Sequence, residues 1–137
     1  MTDRLTPQAR SALMARIRGV NTMPEKVVRS AAHRMGFRFT LHRRDLPGTP
    51  DLVFSRLRRV VFVHGCFWHG HDCGRKSTSK TRVAYWRKKI QRNQARDARA
   101  LRAVRRLGWK ALVVWECETL RLDSLDRRLG RFLANKG

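Results

Sequence analysis

Three short apolar runs set the frame for this chain. Asp51-Leu-Val-Phe54 and Val60-Val-Phe-Val63 are joined by a short basic turn, and Ala111-Leu-Val-Val114 lies later, within Lys110–Trp115. Each is too short for a helix and rich in β-branched or aromatic residues, so each reads as a buried strand. Phe37, Phe39 and Leu41 alternate with Arg38, Thr40 and His42, which is the period of a half-buried strand.

Helical signals fill the intervals. Thr6-Pro7 opens a helix, with Leu13, Ile17 and Val20 at helical spacing and Gly19 and Asn21 weakening its end. Thr22-Met-Pro-Glu25 has capping-box spacing and starts a second helix that runs to about Met35 and stops at Gly36. The longest helix runs from about Thr81 to Leu107, and the last begins near Asp123-Ser124 and frays near Asn135. The order α-α-β-β-β-α-β-α predicts an α/β domain with a mixed sheet and helices on its faces. A length of 137 residues fits one domain, 1–137.

Composition now matters, because it names the kind of partner. There are 32 Lys+Arg against 10 Asp+Glu, a formal +22. That is most simply explained by a polyanion. A hydrophobic content of 42% with four Trp and six Phe excludes a disordered basic tail. No stretch approaches the ~20 apolar residues of a membrane span. Met1-Thr-Asp-Arg4 lacks a signal-peptide run, and the odd cysteine set Cys66, Cys73 and Cys117 argues for a reducing, cytoplasmic compartment.

The densest chemistry lies in His64-Gly-Cys-Phe-Trp-His-Gly-His-Asp-Cys-Gly74. Cys66, His71 and Cys73 offer three zinc ligands, and the glycines let the chain turn tightly. Cys117 is the cysteine left for a fourth, provided its strand neighbours Val60–Val63. The same residues also read as small buried side chains. His64 and His69 are neutral imidazoles able to accept a proton from water, or else polar loop residues or alternative ligands.

The few carboxylates stand out in so basic a chain. Asp51 opens a core strand, where it can hold a hard cation or simply serve a turn. Glu25 is the third residue of the capping box. Asp45, Asp72, Asp97, Glu116, Glu118, Asp123 and Asp126 read as solvated or helix-terminal charges. On the long helix, Arg82, Arg87, Lys88, Lys89, Arg92, Arg96, Arg99, Arg102, Arg105 and Arg106 face a single Asp97 and read as non-specific phosphate contacts.

Taken together, Thr22-x-x-Glu25, Gly48-x-Pro50-Asp51, Val61-Phe-Val-His-Gly-Cys-Phe-Trp-His-Gly-His71-x-Cys73 and Gly108-Trp109 leading to Val114-Trp-Glu-Cys117 resemble the very-short-patch repair (Vsr) mismatch endonucleases. The likeness runs from about residue 7 to residue 117. It implies a restriction-endonuclease-like fold with a structural zinc on Cys66, His71, Cys73 and Cys117. It implies Mg2+-dependent nicking of double-stranded DNA on the 5′ side of the thymine in a T:G mismatch, the product of 5-methylcytosine deamination. Asp51 becomes the magnesium ligand and His69 the general base, with His64 and Glu25 assisting. Phe67, Trp68 and Trp86 become wedges in the base stack, although Trp86, near Val83 and Ile90, also fits a core position. Trp109 and Trp115 flank a strand and read as core.

The chain departs from the pattern of restriction-type sites, which follow the Asp with an acid-x-Lys. Here Phe62-Val63-His64 stands in that place, so the main-chain carbonyl of Val63 serves as the second magnesium ligand, at a position where the family often carries Thr. A monomer acting in the bacterial cytoplasm, with mismatch-repair proteins as partners, completes the expectation. The competing reading is a non-catalytic, zinc-stabilised DNA-binding module.

Overall fold

Thr22 starts the first helix of the computed structural model, which describes residues 22–66 and 83–134. The helix expected from Thr6 lies outside these residues, as do Phe67, Trp68, His69, His71, Cys73 and the side chain of Trp86. Helix α1 spans Met23–Arg34. The extended Thr22 accepts the Glu25 N–H on its hydroxyl at 3.4 Å, and Pro24 occupies the first turn. Gly36 ends the helix at φ +84°, a left-handed turn that a side chain would strain.

Four strands follow: β1 (Thr40–Leu41), β2 (Leu52–Phe54), β3 (Arg59–His64) and β4 (Lys110–Trp115). Their order in the sheet is β1-β2-β3-β4. The first two pairings are antiparallel, whereas β3 and β4 run parallel, with helix α2 (Val83–Arg106) as the crossover. A 3-10 turn over Glu116–Leu120 leads into helix α3, Leu122–Ala134.

Helices cover both faces of the sheet, which is why its central strands read as unbroken apolar runs. Leu52, Phe54, Val61 and Val114 pack with Val28, Ala31 and Ala32 of α1 and Leu125, Leu129 and Leu133 of α3. On the other face Val53, Val60 and Phe62 meet Val104 and Leu101 of α2. The mixed sheet with flanking helices is therefore the architecture expected from the element order.

Three expectations change. The strand over 37–41 shrinks to two residues. Its alternation survives in Phe37 and Phe39, whose rings pack on Phe54 at centroid separations of 6.4 and 5.7 Å, but Leu41 ends at an exposed edge. The last helix begins one residue early, at Leu122, after a 3-10 turn that no sequence signal announced. Trp115 is only partly buried, whereas Trp109 packs against the α2-side core as expected, with the guanidinium carbons of Arg43 and Arg58 5.8 and 5.4 Å from its ring centroid.

The loop from His42 to Pro50 delivers Asp51 to the start of β2. Gly48 in it has φ +75°, and an added Cβ would fall 2.5 Å from the Ala100 Cβ and 3.1 Å from the Phe62 ring. Gly48→Ala is expected to destabilise the fold by about 2–4 kcal/mol, combining left-handed strain with overpacking against a helix. A urea midpoint equal to that of the parent would contradict this. Among the described residues, no helix is long and apolar enough to cross a membrane.

Candidate active site

The end of the β2–β3 hairpin away from its turn gathers the carboxylates. β2 stops pairing at Leu52, opposite Val61, so the Val63 N–H beyond it has no strand partner on that side. Asp51 supplies one: its Oδ2 accepts the Val63 N–H at 2.7 Å. Glu25 reaches the same place from the first turn of α1. Its backbone N–H serves the helix cap, but its side chain turns inward and is 1% exposed. His42, one residue past β1, completes the group, and ligand atoms of Glu25, His42 and Asp51 all lie within 4.8 Å of one another.

Glu25 Oε1 is held from two sides, by Arg29 Nη2 at 2.5 Å and by His42 Nε2 at 2.5 Å. Burial, and after it the Glu25 charge, pushes the Asp51 carboxyl up to about 7, against the Val63 N–H and Arg29, which pull it down. A buried and a half-buried carboxylate, one of them elevated, make a donor set of hard oxygens that a divalent cation would relieve. The residues present fit such an ion.

A stability prediction follows from the Asp51 shift. In the unfolded chain its carboxyl ionises near 3.8, but in the folded protein it holds its proton to about 7. Between those values the folded state binds more protons, so stability falls as pH rises across that window and the loss is complete above it. The full effect is about 4 kcal/mol. Urea midpoints of metal-free protein from pH 4 to 8 measure it, and Asp51→Asn removes that component. Identical pH profiles for the two proteins would refute the assignment.

His64 does not join this group. Strand alternation turns it to the α2 face, where its Nδ1 lies 3.8 Å from Asp97 Oδ2 and its ring 5.3 Å from that of Trp115. Cys66 and Cys117 do meet. Parallel pairing of His64 with Trp115 brings the residues two places further on together, and the Cys117 N–H donates to Cys66 Sγ at 3.4 Å. Glu116 Oε1 accepts the Cys66 N–H at 3.4 Å, and Glu118 accepts the Trp115 N–H at 2.9 Å and pairs with Arg128. Glu116 and Glu118 are thus helix-terminal acids, as one of the two readings had them, while Asp97, in the middle of α2, is a structural partner of His64.

Comparison with known proteins decides the family. The profile described as DNA mismatch endonuclease Vsr matches residues 2–75. The chain belongs to the Vsr family. A Type II nicking enzyme, V.XorIIP of Xanthomonas oryzae pv. oryzae, is 53% identical over 133 residues, covering 97% of this chain and 98% of the relative. The DNA mismatch endonuclease Vsr of Escherichia coli K12 is 37% identical over 142 residues, covering 100% of this chain and 91% of the relative. V.NmeAIP of Neisseria meningitidis, also a Type II nicking enzyme, is 38% identical over 133 residues. As a Vsr-family member the chain is a DNA endonuclease, and the reading as a non-catalytic module gains no support.

Two residues beside the candidate site residues are not singled out by the sequence of this Vsr-family chain. His42 looked like the polar member of a strand alternation, and nothing in its spacing ties it to Asp51. The signal is register: β1 pairs Leu41 with Leu52, so the next step places His42 opposite Asp51, whose carbonyl accepts its N–H at 3.3 Å. Asp97 could have been found, because it falls in the inward stripe of α2 with Leu101 and Val104.

Proposed function

We propose that this chain, as one domain over residues 1–137, nicks double-stranded DNA on the 5′ side of the thymine in T:G mismatches left by deaminated 5-methylcytosine. The observation that carries the reading is the pairing of buried Glu25 with half-buried Asp51 at the end of a hairpin. In a strand, the N–H and C=O of one residue face the same neighbour. The Val63 carbonyl is therefore turned to the side where Asp51 binds its N–H, which suits these two groups as ligands of Mg2+. Bound there, Mg2+ supplies charge stabilisation at the phosphate and the leaving oxygen.

The chain's own groups do the rest. Asp51, fixed by Val63, offers its remaining oxygen. Glu25, fixed by Arg29 and His42, orients water. His64, faced by Asp97 from α2, contacts water or phosphate. His69 takes the proton of the attacking water. Cys66, His71, Cys73 and Cys117 hold a structural zinc, for which the juxtaposed Cys66 and Cys117 are half a tetrahedral set. The zinc loop presents Phe67 and Trp68, with Trp86 from α2, as wedges that unstack the mismatch at a cost of a few kcal/mol per step. The fold is read as restriction-endonuclease-like and the protein as a cytoplasmic monomer, working beside mismatch-repair proteins.

The specificity half of this reading is tested by comparing duplexes that differ only in the central pair. A T:G duplex should be nicked in Mg2+, and a C:G or T:A duplex should not. Equal cleavage of all three would remove the mismatch from the proposal and leave a general nickase.

A further inference from the structure

We propose that His42 is a positioning residue: with Arg29 it clamps the Glu25 carboxylate beside Asp51, and it does not ligate the metal itself. The inference rests on the reading of Asp51 and Glu25 as the catalytic centre.

The geometry separates the two roles. The His42 Nε2 lies 2.5 Å from Glu25 Oε1, an oxygen that Arg29 also meets, and we assign it the tautomer in which Nε2 donates to that oxygen. A nitrogen engaged in this way has no lone pair for a cation. The same nitrogen is 4.0 Å from Asp51 Oδ1, beyond hydrogen-bond reach, so its bond goes to Glu25. Arg29, four residues along α1 from Glu25, meets the same oxygen. Arg29 already balances the buried charge. What His42 adds is a second donor from a different element, and two donors converging on one oxygen fix the rotation of the carboxylate. Carboxylates around a metal centre are commonly oriented by such outer partners.

The backbone at His42 points the same way. Its φ is +48°, in the left-handed region where residues other than glycine are strained. Its N–H is nevertheless secured on the Asp51 carbonyl at 3.3 Å. The twist ends β1 and swings the imidazole over α1. Such strain, held in place by its surroundings, concentrates where a side chain must be aimed.

Two variants separate orientation from folding. Asn tolerates left-handed backbone but is too short to reach Glu25, whereas Gln carries a donor amide about as far as the imidazole. In His42→Asn the Mg2+ concentration for half-maximal nicking should rise at least about tenfold. DNA affinity without metal and the thermal midpoint should stay at parental values. His42→Gln should recover to within about threefold of the parent. Binding of Mn2+ alone to the DNA-free protein provides the second readout, with the same rank order. An unchanged Mg2+ dependence in His42→Asn would overturn the inference. So would a directly coordinated nitrogen in the Mn2+ spin-echo spectrum of the parent that disappears in His42→Gln. If the parent protein itself fails to nick in Mg2+, the reading of the centre fails first, which keeps the two failures distinct.

Discussion

Asp51→Asn is expected to lower the rate of T:G nicking by about 10³-fold or more, because several kcal/mol of charge stabilisation at the phosphate is lost and each 1.36 kcal/mol is tenfold in rate. The choice of Asn matters. Asp51 has a structural duty as well, since its Oδ2 accepts the Val63 N–H at 2.7 Å. Asn retains an oxygen for that bond, so the hairpin end stays closed and DNA affinity in the absence of metal should be unchanged. Asp51→Ala removes the acceptor too, and leaving a buried N–H unmet costs about 1–3 kcal/mol. At a given pH the Ala variant should therefore melt below the Asn variant, and both should lose activity. Single-turnover rates and melting curves on the two variants distinguish these outcomes. An Asn variant that nicks at the parental rate would place the metal elsewhere.

DNA affinity is expected to collapse with salt. Arg87, Lys88, Lys89, Arg92, Arg96, Arg99, Arg102, Arg105 and Arg106 are all exposed along α2. The one acid of that helix, Asp97, faces His64 across the interior side, so it subtracts nothing from the outer face. If about six of these cations neutralise phosphates, the slope of log K against log salt is about −5, and affinity falls about 10³-fold between 50 and 200 mM. The loss should be similar for T:G and fully paired duplexes, since phosphates carry no sequence. Fluorescence anisotropy over a salt series measures both. A slope near zero would mean that this face does not hold the DNA.

How far the fold was legible depended on what kind of signal each part leaves. Thr22, Pro24 and Gly36 act within a few residues of themselves, so the limits of α1 follow from local chemistry. β4 was legible from Lys110 to Trp115 because its run of apolar residues is bounded by Gly108 and a change of pattern. The segment 37–41 was harder. Its two phenylalanines keep the alternation of a strand, yet Phe54 recruits them into the core and leaves only two residues to pair with β2. The parallel pairing of β3 with β4 was required for Cys117 to approach Cys66, and both were found together.

The site divides in the same way. Asp51 announced itself by standing before a core strand in a chain poor in acids. The spacing around Glu25 shows only the capping box, because its N–H and its carboxylate have different partners. His42 could not be found from spacing at all. Its place beside Asp51 is set by a strand register and a left-handed turn, and both are tertiary facts. Asp97 reads as a solvated or helix-terminal charge because the helix around it is covered in arginines, although its inward phase can be counted.

In the proposed function, Asp51 with Glu25 beside it centres a metal-dependent site that cuts one strand at a mismatch. The most direct test uses a duplex with a single T:G pair, each strand carrying a different end label, incubated with the protein in Mg2+ and in EDTA. One product is expected, a nick on the 5′ side of the mismatched thymine, with the guanine strand intact and no cleavage in EDTA. Binding of the duplex with both strands left whole in Mg2+ would contradict it.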